Sequence, residues 1–146
     1  MKIRKAKKDD FEKLIKLMDG FWSNVKKNKS EYKKAYLKEL TEKNVDRFLL
    51  FENNELIGCL SLVKYWIAHT KGYQVILEEI IVDKKCRGKG YGKILIDYAI
   101  DYSKKLKAKE LWLETSKENK AQGLYKKKME KDANSVIFKI KFNKIS

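Results

Sequence analysis

The chain opens with two apolar patterns of helical period. Phe11, Leu14, Ile15, Leu17 and Met18 recur at helix spacing behind Asp9 and Asp10, which predicts a helix capped by one of those aspartates and ended at Gly20. A short basic strand over 2–6, with Ile3 inward, comes before it, and Phe21-Trp22 comes after. A second helix is expected over 30–43, with Ser30 as N-cap and Tyr32, Ala35, Tyr36 and Leu40 on one side. The pattern then turns to strands over 47–52 and 55–67, joined by the hairpin signal Asn53-Asn54, and a third over 73–82 after a turn at Gly72. An amphipathic helix over 91–106 buries Ile94, Leu95, Tyr98, Ala99 and Tyr102. A strand over 110–115, a helix over 118–128 and a last strand within 135–142 complete the order β-α-α-β-β-β-α-β-α-β. That order predicts an α/β domain, a mixed sheet with helices on both faces.

Composition narrows the setting. At 146 residues, the chain is expected to form one domain, 1–146, with a single core. No stretch approaches eighteen apolar residues and no signal-peptide pattern is present, so a cytoplasmic protein without membrane partners is expected. Cys59 and Cys86 have neither a disulfide framework nor a metal-ligand spacing, and no metal site is expected. A nucleophilic Cys86 would need a histidine partner, and the only histidine, His69, falls in a loop. The net charge of +15 is uneven: residues 1–50 carry +7, residues 51–100 carry +1 and residues 101–146 carry +7. Solvated helix faces account for most of the lysines. No nucleic-acid-binding motif accompanies them, so a nucleic-acid partner is not the favoured reading.

The most informative segment is the strand-to-helix junction Glu78-Glu79-Ile80-Ile81-Val82-Asp83-Lys84-Lys85-Cys86-Arg87-Gly88-Lys89-Gly90-Tyr91-Gly92. A turn with glycines on alternate positions lets backbone N–H groups approach a ligand closely, and a helix that starts there adds its free N–H groups and its dipole. The junction therefore reads as an anion site, for a phosphate above all. It is not a Walker loop: Arg87 stands where the first glycine is required, and Ile94 follows Gly92-Lys93. It is not a dinucleotide fingerprint either, since Lys93 replaces the third glycine.

What remains, Arg87, Gly90 and Gly92 in an Arg/Gln-x-x-Gly-x-Gly pattern, resembles the pyrophosphate loop of the GCN5-related N-acetyltransferase (GNAT) superfamily. Downstream, the apolar strand ending at Thr115 and then Asn119, Ala121, Leu124 and Tyr125 resemble that superfamily's strand-then-Asn-x-x-Ala-x-x-x-Tyr segment. The resemblance spans about 49–140. It implies a mostly antiparallel central sheet whose strands splay apart at a cleft for acetyl-CoA, and a direct attack of an amine on the thioester in a ternary complex, without an acyl-enzyme. It also implies that main-chain groups of Ile80, Ile81 and Val82 hold the pantetheine arm. Arg87, Gly88, Lys89, Gly90, Tyr91, Gly92 and Lys93 are then expected to hold the pyrophosphate, Asn119 to contact CoA, and Tyr125 to act as general acid at the sulfur.

The remaining roles rest on the chemistry. An ammonium has no lone pair, so a base must take its proton. Glu78 and Glu79 are the candidates, and a resemblance to the Leu-Glu-Asp/Glu pattern of polyamine-type members of the superfamily points to Glu78 first and Glu79 second; adjacent strand residues face opposite sides, so only one should face the cleft unless a bulge intervenes. Among the aromatic residues, Trp22 and Trp66 are the candidates for an acceptor pocket suited to a cationic amine. The acceptor is expected to be a polyamine or another small cationic amine, with a protein lysine or N-terminal amine as the alternative. A non-catalytic module that holds CoA or nucleic acid is the third reading, and a homodimer is left open. One departure stands out: Met129-Glu130 occupies the place where the superfamily usually carries a small-apolar pair, so the turn after Tyr125 is expected to be rebuilt.

Overall fold

The structure, a computed structural model, describes residues 1–22 and 24–142. The described residues separate into two compact units, Met1–Glu114 and Thr115–Ser146. The first holds β1 (Lys2–Lys5), α1 (Phe11–Met18), α2 (Lys29–Glu39), β2 (Val45–Glu52), β3 (Glu55–Ile67), β4 (Gly72–Val82), α3 (Tyr91–Lys105) and β5 (Glu110–Trp112); the second holds α4 (Gln122–Lys128). No described helix is long and apolar enough to cross a membrane.

The five strands form one sheet in the order β1-β2-β3-β4-β5. The first four pair antiparallel, and β5 pairs parallel to β4, so the sheet is mixed and mostly antiparallel. The β2–β3 hairpin turns on Asn53 and Asn54, both at positive φ (48° and 64°), the conformation that Asn tolerates better than other non-glycine residues. Strand alternation sends side chains to two cores. Leu49, Phe51, Cys59 and Ile81 pack with α1 and α2. On the other face, Phe48, Leu50, Leu60, Leu62, Val75 and Leu77 pack with Leu95 and Ala99 of α3.

Where the elements differ from expectation, local bonding explains it. Asp10 does not cap α1 through its side chain; its carboxylate accepts from the Lys7 N–H at 2.7 Å and from both Arg4 Nη atoms at 2.7 and 2.8 Å. The second helix begins at Lys29, without a side-chain cap, and stops at Glu39, since 41–44 offers no apolar side chain to hold another turn on the sheet. β5 ends at Trp112 because its pairing with β4 ends at Ile76. In the second unit, α4 begins only at Gln122. Asn119 lies in the turn before it, where its Oδ1 accepts from the Ala121 N–H at 2.9 Å and competes with helix formation. The last strand expected within 135–142 is absent. Residues 129–142 form no helix or strand, and Phe138 is 90% exposed. In this unit α4 is the sole regular element among the described residues, and an alternating segment without a ladder partner does not form a strand.

Candidate active site

The first unit contains a gap of the expected kind. β4 is paired to β5 only over Gln74–Ile76, while its other edge stays on β3 as far as Val82. Among the described residues no strand pairs with the β5-side edge of β4 from Leu77 onward, an edge of the kind that an extended ligand can join.

A register shift begins at that point. Leu62 pairs with Leu77 but Ser61 pairs with Glu79, so Glu78 is the extra residue of a β-bulge. The packing shows its consequence. Leu77 and Ile80 both contact the core on the α3 side, although they are three residues apart. Glu79 turns to the face covered by α1 and α2, where it meets Arg47, and Ile81 returns to that same face, while the bulge takes Glu78 out of the strict alternation. The bulge that the sequence allowed for is present, so simple alternation no longer separates the two acids.

The two carboxylates differ in their surroundings. Glu78 is exposed and has no ionic partner among the described residues. Glu79 faces the guanidinium of Arg47, with Oε2 at 3.2 Å from Nη1 and Oε1 at 3.4 Å from Nη2. Arg47 is held more tightly by Glu39 of α2, Nε at 2.7 Å and Nη2 at 2.8 Å, and its Nη1 lies 3.1 Å from Cys59 Sγ. Burial by itself would lower the Arg47 pKa; the Glu39 hydrogen bonds and the charges around it outweigh that and raise it, so the group stays a cation. Burial pushes the Cys59 thiol up to about 11 despite Arg47, which leaves it neutral.

Over this cluster lies Trp22, stacked on Tyr32 (centroids 5.3 Å, 14° between planes) and 5.9 Å from the Arg47 guanidinium. Tyr32, Tyr36 and Glu39 share one stripe of α2 at i, i+4 and i+7, which is why a single helix supplies all three. The Tyr36 hydroxyl donates to the Lys7 carbonyl at 2.6 Å and, chiefly through burial, is pushed up to about 12. Trp66 is elsewhere. It follows the alternation of Leu60 and Leu62, meets Tyr73 edge-on at 5.3 Å, and so stands on the α3 face. Trp22 and Trp66 are on opposite faces of the sheet, so a pocket on one face does not take both.

Beyond Val82 the chain turns through a 3-10 turn at Lys84–Cys86, where Asp83 Oδ1 accepts from the Lys85 N–H at 2.9 Å, into the glycine-rich loop. Gly88 and Gly90 have φ of +76° and +87°, and a Cβ on either would meet nothing within 4 Å. Tyr91, Gly92 and Lys93 open α3, where the first N–H groups of a helix have no partner within it. Two glycines at positive φ with open space beside them, leading into the free N–H groups at the start of α3, fit a pyrophosphate. Arg87 donates from Nε to the Val82 carbonyl at 3.3 Å and lies 5.1 Å over the Phe21 ring. Lys93 pairs with Asp97 at 2.8 Å, while Lys89 is exposed. The Tyr91 hydroxyl donates to the Glu52 carboxylate and ties the start of α3 to the β2–β3 hairpin.

Asn119 and Tyr125 belong to the second unit. The Asn119 amide donates to Thr115 Oγ1 at 2.7 Å, and the Tyr125 N–H bonds the Ala121 carbonyl at 3.2 Å at the start of α4. Met129 is extended (φ −136°, ψ 154°) and ends that helix. Two residues of the bulge cluster, Arg47 and Glu39, were not singled out in the sequence. A charged residue in a strand ordinarily reads as exposed, and only the partners show otherwise.

The chain matches the Acetyltransferase (GNAT) family over residues 11–130. It is 31% identical over 118 residues to the uncharacterized N-acetyltransferase MJ1207 of Methanocaldococcus jannaschii, which covers 76% of this chain and 52% of that protein. It is 34% identical over 58 residues to the uncharacterized N-acetyltransferase YhdJ of Bacillus subtilis, which covers 40% of each. The matched region thus spans about half, or less, of these curated relatives. Among solved structures, a probable acetyltransferase superimposes with a TM-score of 0.85 at 18% identity, covering 99% of this chain and 100% of that one. A ribosomal-protein-alanine N-acetyltransferase of Brucella melitensis biovar Abortus gives 0.81 at 18% identity (97% and 100% covered). An aminoglycoside 6'-N-acetyltransferase of Acinetobacter haemolyticus gives 0.77 at 19% identity (98% and 100% covered). The last three likenesses show the fold; with the family match, the β4 edge left unpaired beyond Ile76 and the glycine loop, they lead to one assignment: the chain belongs to the GNAT acetyltransferase family.

Proposed function

We propose that the protein is an N-acetyltransferase that moves an acetyl group from acetyl-CoA to the primary amine of a small cationic acceptor, by direct attack in a ternary complex. The observation that carries this reading is the β4 bulge, which sets Glu78 and Glu79 side by side, outside simple alternation, at the unpaired strand edge and a few residues before the glycine loop. When bound, acetyl-CoA supplies the acetyl group as an activated thioester. The N–H groups of 87–93 hold its pyrophosphate, with Arg87 and Lys89 adding charge. The main chain of Ile80, Ile81 and Val82 aligns the pantetheine arm as an added strand and directs an N–H at the oxygen where negative charge develops. Glu78, exposed and without a counter-ion, takes the proton of the acceptor ammonium and so frees its lone pair. Tyr125 returns a proton to the departing sulfur, and Asn119 contacts CoA; both roles come from the family pattern.

Two observations favour a small cation as acceptor: the acids of the bulge and the stacked Trp22–Tyr32 pair beside them. Trp66, on the other face, has no part in the proposed pocket. A second reading, a protein amine as acceptor, draws on the ribosomal-protein-alanine enzyme among the similar folds. The deciding experiment is an assay of CoA thiol release over a panel of diamines, polyamines, aminoglycosides and peptides with free α- or ε-amines. We expect turnover with the small polycations, lost in Glu78→Gln and reduced in Tyr125→Phe. Turnover confined to peptides would favour the second reading, and no acetyl-CoA-dependent thermal shift would remove both. We infer that the chain works in the cytoplasm.

A further inference from the structure

The Arg47 cluster has more negative charge than its own stability requires. Arg47 is a buried cation, its side chain 4% exposed, and Glu39 alone would neutralise it through a short bidentate fork. A second carboxylate, Glu79, is nonetheless recruited, at longer distances and with 30% of its side chain still exposed. Two carboxylates against one guanidinium leave a net charge of −1, and neither acid has another ionic partner among the described residues. Arg47 takes up part of the Glu79 acceptor capacity; the rest is open to solvent next to Glu78, the exposed residue of the bulge. A primary ammonium carries one charge and three N–H donors, which is what the cluster lacks.

We propose that Arg47 is the positioning residue of the acceptor site and acts through Glu79. It fixes the Glu79 carboxylate so that this group binds the acceptor's ammonium, and leaves proton removal to Glu78. This rests on the acetyltransferase reading. It adds a division of labour between adjacent acids and a residue of β2 that determines acceptor affinity.

The test compares Arg47→Lys, Glu79→Gln and the double variant with the unmutated protein, using the best amine of the panel. Lysine keeps the charge but cannot span Glu39 and Glu79 as a planar fork does. We expect about a tenfold rise in acceptor KM in each single variant, a kcat within about threefold of the unmutated protein, and no further rise in the double variant, because both changes remove one interaction. The acetyl-CoA thermal shift and the acetyl-CoA KM should not move. Calorimetric titration of the same amine into protein without acetyl-CoA should show the same loss of affinity. Unchanged acceptor KM in Arg47→Lys, equal rises in both KM values, or effects that multiply in the double variant would overturn the inference while the acetyltransferase reading stands. If Arg47→Lys does not fold, Glu79→Gln with an unchanged acceptor KM overturns it equally. Absence of transfer by the unmutated protein would overturn both.

Discussion

Glu78 and Glu79 are neighbours in sequence, yet one is free and the other is tethered to a buried arginine. This makes their substitutions distinguishable. Glu78→Gln should lower kcat by roughly 10² to 10³ with acceptor affinity little changed, the usual cost of losing a general base, measured by steady-state kinetics. Glu79→Gln should act mainly on acceptor KM. A different acid governs stability against pH. The Arg4 hydrogen bonds, helped by the Lys7 N–H, hold the Asp10 carboxyl below its ordinary value of 3.8 although burial works against them. A lowered folded pKa gives stability that is fully present above the unfolded value and is lost as pH falls through the folded one. Asp10→Asn should therefore destabilise at neutral pH by about 1–2 kcal/mol, and the difference from the unmutated protein should shrink below about pH 4, as urea unfolding across pH would show. None of these distinctions is visible in residue types: the sequence offers a pair of glutamates and a pair of aspartates, and only the partners assign them.

At the scale of elements, hydrophobic alternation placed most boundaries, because it is a local consequence of which face each side chain buries. The strand Glu55–Ile67 and the start of α3 at Tyr91 follow from it directly. The β4 bulge does not, since it is a property of the register between two strands; its trace in one strand is only that Leu77 and Ile80 share a face. The glycine loop is intermediate. Its composition predicts positive φ, and the structure locates it at Gly88 and Gly90. Replacing either by Val should cost about 1–2 kcal/mol of stability, because a β-branched residue is strained there, and should weaken acetyl-CoA binding about tenfold or more by filling the open side. Thermal melts and calorimetry separate the two effects. An equal substitution at Gly123, which has ordinary φ and open space in α4, should leave acetyl-CoA binding nearly unchanged.

For the whole molecule, charge and the tail are the open variables. The net charge of +15 sits on solvated lysines outside the bulge cluster, which is locally negative. Acetyl-CoA affinity should therefore fall with added salt, by roughly severalfold between about 0.05 and 0.5 M, while acceptor affinity falls as well because its ion contact is partly exposed. The apolar side chains of 136–142 are largely exposed, Phe138 and Phe142 each at 90%. Removing the chain after Asn134 should thus shift Tm by no more than about 2 °C. A larger fall would mean that the tail packs somewhere in solution.

The sequence by itself determined the fold class and the order of elements as far as α4, and it marked the glycine loop and the two adjacent acids as candidates. Each depends on period, turn chemistry or spacing, which are short-range and are written in consecutive residues. Only the tertiary structure decided that a bulge falls at Glu78 beside Glu79, that Arg47 is buried between Glu39 and Glu79, and that Trp22 and Trp66 lie on opposite sides of the sheet. These depend on register between strands and on charge pairing across 32 residues of chain, as between Arg47 and Glu79, where no local preference operates.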